Sequence, residues 1–261
     1  MKKIFLVVLM LSVLSVFSQD GNKTDAKGQK QGEWKKYHKN GMLRYVGNFK
    51  NDKPVGEFKY YYDSGNIQSK MDHKGKGVSY FIAFYKTGEV KAVGKYINQK
   101  RDSTWSYYDI DGLKKAADFY IKGLKNRTSY AYYPNGKIAE EKEYFNDFEN
   151  GKWITYYENG KKKMEANYEN GGLEGKAMFY NSNGKRSIRG YYYRGTRDGV
   201  WLYFDDDGNT IKKKETYDKG KRTDAGKDEG LETEPLKPIS EDFLNPDVIM
   251  QQMQGGNQRY E

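Results

Sequence analysis

The chain has 261 residues, of which 36% are hydrophobic and 16% aromatic, and its formal net charge is +10. It contains no cysteine, which excludes disulfides, thiolate metal sites and acylation of a lipoprotein cysteine. Few aliphatic residues remain for a conventional core, so tyrosine and tryptophan have to supply much of the buried surface. The 25 tyrosines therefore indicate regularly spaced packing positions rather than disorder.

The N-terminus has the three parts of a Sec signal peptide. A positive start at residues 2–3 is followed by an apolar run at 4–17, and Ser18 supplies a small residue for cleavage. The run is short for a membrane-spanning helix, which makes a retained anchor the weaker alternative. Residues 1–18 are therefore predicted as a signal peptide, and the protein as exported to the periplasm, the outer envelope or the medium.

After a predicted N-terminal cap or linker at residues 19–31, a repeat of 24 residues fills positions 32–222. Its units begin, with one shorter step, at Gly32, Gly56, Ser79, Ser103, Arg127, Gly151, Gly175 and Gly199. The sixth residue of every unit is aromatic and is predicted to be a structural residue of the repeat: Tyr37, Tyr61, Phe84, Tyr108, Tyr132, Tyr156, Tyr180 and Phe204.

The third residue of most units is a second aromatic position, occupied by Trp34, Phe58, Phe81, Trp105, Trp153 and Trp201. Ser129 and Ala177 are the exceptions, and we expect their repeats to be the weaker ones. Because strand residues alternate between faces, the third and sixth residues belong to opposite faces, which allows one aromatic row to stay exposed. Burial against neighbouring units is the favoured interpretation, and a platform for sugar stacking is the alternative.

A hairpin turn is predicted in each unit from its ninth and tenth residues, which are Asn40-Gly41, Ser64-Gly65, Thr87-Gly88, Asp111-Gly112, Asn135-Gly136, Asn159-Gly160, Asn183-Gly184 and Asp207-Gly208. A small polar residue followed by glycine suits a tight turn with positive φ. The returning strand ends on an aromatic or imidazole ring, at Phe49, His73, Tyr96, Tyr120, Tyr144, Tyr168 and Tyr192, with Tyr217 one place late. Each unit therefore reads as strand, turn and strand.

A basic column is the feature that most resembles a binding site. One equivalent position of the returning strand holds Arg44, Lys91, Lys115 and Lys163. Like charges in one column repel, so they are either solvated or contact an anionic surface such as acidic lipid or polysaccharide. Basic and aromatic interleaving also suits nucleic acid, but export argues against nucleic acid as a partner.

The run from Gly151 to Gly160 reads G-x-W-x-x-Y-x-x-x-G, and the run from Gly199 to Gly208 is a second clear copy with Phe in place of Tyr. This pattern closely resembles the MORN repeat in the longer variant common in bacteria. The resemblance implies an all-β, elongated single-sheet solenoid of about eight antiparallel hairpins, used for scaffolding, self-association or attachment to acidic lipids. Some bacterial relatives are labelled antitoxins; the signal peptide argues against a cytoplasmic antitoxin and leaves an exported immunity-like role open.

Catalytic chemistry finds little support in the sequence. Only His38 and His73 could act as histidine bases; His73 stands at an aromatic packing position, and His38 is expected to be exposed beside a turn. The run from Asp205 to Asn209 suggests a calcium loop, but it lacks the later glutamate, so turn chemistry is preferred. No enzyme activity, cofactor or metal site is predicted.

Residues 223–261 form a segment of different composition, with three basic and nine acidic side chains and therefore a charge of −6. They are predicted to be a disordered acidic tail. Within it, residues 246–253 could form a short helix that binds a partner or folds back on the last repeat, with plain disorder as the alternative.

The sequence as a whole predicts an exported, non-catalytic repeat scaffold that mediates protein–protein interaction in the cell envelope. A surface module that binds glycan or acidic lipid is the first alternative, and an immunity-like or antitoxin-like protein the second.

Overall fold

A computed structural model describes residues 21–224, which form a single antiparallel sheet of 20 strands. The predicted signal peptide, most of the acidic tail and its helix at 246–253 lie outside the described residues. Within residues 21–224, no helix is long and apolar enough to cross a membrane.

Each unit contributes one hairpin to this sheet, and successive strands pair in chain order. The sixteen strands of the hairpins are β2 (Lys30–Tyr37), β3 (Leu43–Lys50), β4 (Lys53–Tyr61), β5 (Ile67–Gly75), β6 (Val78–Phe84), β7 (Val90–Ile97), β8 (Lys100–Tyr108), β9 (Lys114–Ile121), β11 (Arg127–Tyr132), β12 (Ile138–Phe145), β13 (Phe148–Tyr156), β14 (Lys162–Glu169), β16 (Gly175–Tyr180), β17 (Arg186–Tyr193), β18 (Thr196–Phe204) and β19 (Ile211–Asp218). Four strands of two residues complete the sheet: β1 (Lys23–Thr24), β10 (Leu124–Lys125), β15 (Gly172–Leu173) and β20 (Lys221–Arg222). The predicted all-β array of eight hairpins is confirmed.

The hairpin turns are closed by the glycine at the tenth position. In the first unit Gly41 has φ 84° and its N–H donates to the His38 carbonyl at 3.0 Å, as the conformation of the turn requires. In the last unit Asp205 N–H donates to the Thr210 carbonyl at 2.9 Å, so this turn holds one extra residue. The insertion explains why Tyr217 comes one place late in the sequence.

The sheet buries one of its faces although no second layer covers it in the described part of the chain. On this buried face lie the third, fifth and eighteenth residues of the units, and Trp105, Tyr107 and Trp201 are its most completely enclosed large side chains. Rings of neighbouring units cover one another, as Trp105 and Tyr96 do with centroids 5.0 Å apart. The sixth residues lie on the opposite, outer face.

Each of the first seven units carries a β-bulge at its thirteenth residue, and the last unit, whose turn is one residue longer, carries it at the fourteenth, Lys212. Tyr37 pairs with Leu43 and Lys36 pairs with Tyr45, which makes Arg44 the extra residue on the returning strand. The bulge changes the alternation of faces within that strand. Sequence parity alone therefore misassigns the side of the sheet on which the residues around position thirteen lie.

Two ladders of hydrogen bonds tie each unit to the next. Near the hairpin turns, the Tyr133 hydroxyl donates to the Tyr156 carbonyl at 2.6 Å, and the Tyr157 hydroxyl donates to the Tyr180 carbonyl at 2.8 Å. Tyr62 and Tyr85 make the same bond from the same seventh position. At the opposite edge of the sheet, N–H groups in the turns that link the units donate to carbonyls of the preceding unit. For example, Gly195 N–H donates to the Leu173 carbonyl at 2.9 Å.

Ser129 and Ala177, which replace the third aromatic residue, follow an interruption of the incoming strand. The short strand β10 ends before β11, and Asn126 N–H donates to the Phe119 carbonyl at 2.8 Å. The short strand β15 likewise ends before β16. Whether these repeats are less stable than the others stays a prediction.

Candidate interaction surface

The tryptophans of the buried face are covered by cations. The Arg101 guanidinium lies 5.3 Å from the Trp105 ring and 5.1 Å from the Tyr120 ring, and it donates to the Tyr120 hydroxyl at 2.9 Å. Lys30, Lys142 and Arg197 cover the other three tryptophans in the same way, at Trp34, Trp153 and Trp201. Since Trp105 and Trp201 are fully buried, they cannot serve as sugar-stacking platforms.

The arrangement around Trp105 recurs around Trp201. Arg197 lies over Trp201 at 4.3 Å and donates to the Tyr217 hydroxyl at 3.1 Å, as Arg101 does to Tyr120. Burial alone would raise the pKa of the Glu215 carboxyl, but hydrogen bonds from Tyr203, Lys213 and Tyr217 outweigh it and hold the pKa below its ordinary value. Each of these two arrangements also contains an ion pair with an N–O distance of 3.3 Å. The pair is Lys125 with Asp118 in the first and Arg222 with Glu215 in the second.

A charged segment divides the buried face into two apolar clusters. Trp105 and Tyr107 belong to the first cluster, and Phe179 and Trp201 belong to the second. Between them, the row of third and sixteenth residues runs through Asp118, Ser129 and Lys142. Asp118 is only 3% exposed and forms its ion pair with Lys125 where the third residue of the next unit, Ser129, supplies no ring.

The predicted basic column, Arg44, Lys91, Lys115 and Lys163, coincides with the bulge residues of its four units. Lys91 Nζ lies 5.2 Å from the Tyr85 ring, and burial lowers the pKa of this amine. Lys163 Nζ lies 5.8 Å from the Tyr157 ring, whereas Arg44 is exposed. Two of the four cations thus lie over tyrosine rings. Contact of the column with an anionic surface stays a prediction.

The sixth-residue aromatics form a half-buried row on the outer face, with Tyr37 the most exposed at 56%. The Tyr156 hydroxyl donates to a Glu141 carboxylate oxygen at 3.1 Å. Partial burial and this acidic neighbour together raise the pKa of Tyr156 to about 12. The row therefore packs on strand neighbours while leaving one side of its rings accessible.

Both histidines have structural surroundings. His73 packs edge-on against Phe58 with centroids 5.2 Å apart, and its Nδ1 lies 2.8 Å from Ser79 Oγ. Burial lowers the pKa of His73, although Asp72 opposes the shift. The expected exposure of His38 is wrong: the ring is half-buried because Nε2 donates to the Tyr61 carbonyl at 2.9 Å, in the same ladder as the seventh-residue tyrosines.

The aspartates at the last hairpin serve the turn. Asp207 accepts hydrogen bonds from Asn209 N–H at 2.8 Å and from Thr210 N–H at 2.9 Å. Within residues 21–224, no group of three or more histidine, aspartate or glutamate side chains is placed to hold a metal ion. The Asp207 carboxylate is engaged by its own turn, as turn chemistry predicts.

An apolar ridge lies on the outer face, at the edge where one unit is linked to the next. It consists of Ile121, Leu124, Phe145 and Phe148, which are 41%, 42%, 61% and 64% exposed. Ile121 pairs with Leu124 and Phe145 pairs with Phe148, so each pair flanks one tight link. Sequence reasoning treated these links as mere connections, although two phenylalanines around Asn-Asp were a readable signal.

Comparison with known proteins identifies the repeats. A family model described as the MORN repeat variant matches residues 30–51, 54–74, 128–146 and 149–170. This chain is a MORN-repeat protein. MORN repeats are modules of interaction with proteins or membranes. Phe145 and Phe148 of the apolar ridge lie where the third matched stretch meets the fourth.

Other comparisons add little to the MORN assignment. The chain is similar over 74% of its length to the crystal structure of TcdB2-TccC3-TEV, at 9% identity and a TM-score of 0.19. It is similar over the same share to the crystal structure of TcdB2-TccC3-Cdc42, at 10% identity and a TM-score of 0.15. The MORN chain covers 12% of each of those chains, and at these scores the likeness carries no argument. No match to a curated protein was found.

Proposed function

We propose that this MORN protein is an exported, non-catalytic scaffold that binds a protein partner through the apolar ridge. The observation that carries the proposal is the exposure of Phe145 and Phe148, at 61% and 64%, beside Ile121 and Leu124. A group of large exposed apolar side chains at one place on a surface is typical of an interaction site. Aromatic side chains are also the commonest anchors of protein interfaces.

The ridge is held in place by the links beneath it. Asp147 N–H donates to the Lys125 carbonyl at 2.9 Å, and Lys125 N–H donates back to the Asp147 carboxylate at 2.6 Å. A surface fixed before binding loses less conformational entropy when the partner arrives. This rigidity supports a role as a docking platform.

The charges around the ridge are of both signs, and exposed Lys122 lies in the link between Ile121 and Leu124. Asp147 forms the tip of the link between the two phenylalanines, and Glu169 is exposed at the next link. A surface of mixed charge suits a protein partner, which offers groups of both signs, better than a uniformly acidic lipid or polysaccharide surface. Export rests on the sequence of residues 1–18. The absence of catalysis is supported by the family, whose repeats are typically non-catalytic scaffolds.

The proposal is tested by cross-linked recovery of partners from envelope and culture fractions, with the full chain as bait. The double variant Phe145→Ser with Phe148→Ser is expected to lower recovery of a discrete protein at least tenfold. Tyr80→Ser is the matched control, because Tyr80 is 50% exposed on the same face and lies outside the ridge. Equal recovery with the wild-type chain and the ridge variant would overturn the proposal.

A second outcome would favour the anionic-surface alternative. In that case the bait is retained on lipid or glycan without any protein, and Lys91→Glu combined with Lys115→Glu releases it at low salt. A partner that proves to be a toxin would instead support the immunity-like role.

A further inference from the structure

The apolar ridge lies between a cation at one end and a carboxylate at the other. Lys100 pairs with Ile97 across the link before the ridge, and Glu169 pairs with Gly172 across the link after it. Both charged side chains are exposed. Since their link positions repeat those of the ridge residues, Lys100 and Glu169 lie on the same outer face, each one strand beyond an end of the ridge.

The links at this edge of the sheet pack closely side by side. A Cβ at Gly123, in the first link of the ridge, would meet the Cβ of Lys100 at 3.5 Å. A Cβ at Gly171, in the link that contains Glu169, would meet the ring of Phe148 at 4.0 Å. The two charges therefore lie directly beside the first and the last side chains of the ridge.

The two links of the ridge also carry opposite charges. Lys122 follows Ile121 at the tip of the first link, and Asp147 precedes Phe148 at the tip of the second. Both charged side chains are exposed. The midpoint of the ridge falls between the two links, and Lys122 is as many strands from it on one side as Asp147 is on the other. A rotation of 180° about this midpoint therefore exchanges each cation with a carboxylate.

Resting on the proposed function of the ridge, we propose that its protein partner is a second copy of this chain. The two copies pair antiparallel about a two-fold axis through the midpoint of the ridge. Such an axis needs a surface that is complementary to itself. Here it sets the aliphatic side chains of the first link against the phenylalanines of the second copy. Lys100 then faces Glu169 and Lys122 faces Asp147, and each pair occurs twice.

The right-handed twist of β-sheets limits this contact to the middle of the two arrays. Twisted sheets that meet at one place diverge on either side of it, so like charges further out, such as Lys50 and Lys221, stay apart. The ridge offers a few hundred Å² of apolar surface per copy, at the small end for a specific interface, and a reversible dimer with a Kd of about 10 μM is expected. The net charge of +10 on each copy opposes association through surfaces that lack such pairs.

Sedimentation equilibrium of the purified full-length chain tests the pairing through charge reversals. Lys100→Glu and Glu169→Lys are each expected to weaken self-association about tenfold, because like charges then face each other at both ends of the contact. An equimolar mixture of the two variants is expected to associate as tightly as the wild-type chain, since every pair again joins opposite charges. Asp218→Lys is the matched control: Asp218 is the exposed residue at the equivalent link position of the last unit, and its reversal should leave the Kd unchanged.

Three results would overturn the second copy as the partner. They are a wild-type chain that stays monomeric at about 100 μM, a mixture that associates no more tightly than either variant alone, and a dimer that survives Phe145→Ser combined with Phe148→Ser. The proposed function fails separately. A monomeric chain that still recovers a different protein through its two phenylalanines would keep the ridge as a docking surface and remove only the second copy from it.

Discussion

The backbone of Gly94 lies directly against the indole ring of Trp105. A Cβ at Gly94 would come within 2.2 Å of the ring, and the same distance separates a Cβ at Gly190 from the ring of Trp201. Glycine is required at these positions because the next unit places its largest side chain there, and not because of the turn conformation.

Gly94→Ala is therefore expected to destabilise the array by about 3 kcal/mol, because a ring packed on both sides has no room to move away. Gly172→Ala is the matched control: its Cβ would meet nothing closer than 3.7 Å. The midpoints of urea unfolding, followed by tryptophan fluorescence, compare the two variants. A Gly94→Ala midpoint that equals that of Gly172→Ala would contradict the packing described for Trp105.

The seventh-residue ladder should contribute to stability in proportion to its hydrogen bonds. Tyr133→Phe and Tyr157→Phe each remove one hydroxyl that donates to a carbonyl of the next unit, at a cost of about 1 kcal/mol. Their combination is expected to cost about twice as much in thermal unfolding, since the bonds belong to different interfaces. Tyr191→Phe, at a tyrosine 47% exposed, serves as the control and should leave the melting temperature unchanged. If the hydrogen bonds of the ladder contributed nothing to stability, all three variants would have the same melting temperature.

The ion pair between Asp118 and Lys125 is expected to behave as a buried pair. Asp118→Asn leaves the Lys125 amine, only 14% exposed, without its carboxylate and should cost about 3 kcal/mol. Adding Lys125→Met should recover part of that loss, because the second charge no longer has to be buried. The exposed pair of Glu33 and Lys35 provides the contrast, since Glu33→Gln should change stability by less than about 0.5 kcal/mol. A double-mutant cycle in urea measures these differences, and additive losses at 118 and 125 would rule out coupling.

The carboxyl of Asp207 is expected to have an unusually low pKa. Hydrogen bonds from the Thr210 hydroxyl and from the N–H groups of Asn209 and Thr210 lower the pKa of its carboxyl to about 2. Since the folded pKa is depressed, the stabilisation is complete above about pH 4 and is lost as the pH falls through 2. Thr210→Val is expected to raise the pKa toward its ordinary value of 3.8 in an NMR titration of the carboxyl carbon. Added calcium should leave the wild-type titration unchanged, and a calcium-dependent shift would reopen the metal-loop interpretation.

The sequence was sufficient for the repeat, the turn and the third-residue aromatics because these depend on residue type at a fixed spacing. The fifth residue was missed although it lies on the buried face, because it is Tyr107 in one unit, Ala131 in another and Thr155 in a third. Its burial comes from its place in the sheet and not from its chemistry. A search for buried columns by residue type cannot find such a position.

The basic column shows the second limit of the sequence. Arg44 and Lys91 recur at one position, but the pattern does not reveal that the position is a bulge or that Lys91 lies over Tyr85. Three of the four cations that cover the tryptophans, Lys30, Arg101 and Arg197, stand in segments that looked like linkers, whereas Lys142 lies within β12. Their role depends on how the link folds back across the preceding strand, which spacing alone does not determine.

Because the surroundings of Trp105 and Trp201 are alike, whole units can be removed between these two residues. If residues 105–200 were excised, Thr104 would be joined to Trp201, and Gly94 would lie against Trp201 as Gly190 does now. Arg101 would take the place of Arg197 over the ring, and Asp102 that of Asp198. The glycine and arginine contacts of the tryptophan would be repeated at the seam, while Val93 would lie opposite Leu202 in place of Ser106. The reach of such a molecule can therefore change in steps of four units while both of its ends, and whatever they hold, stay the same.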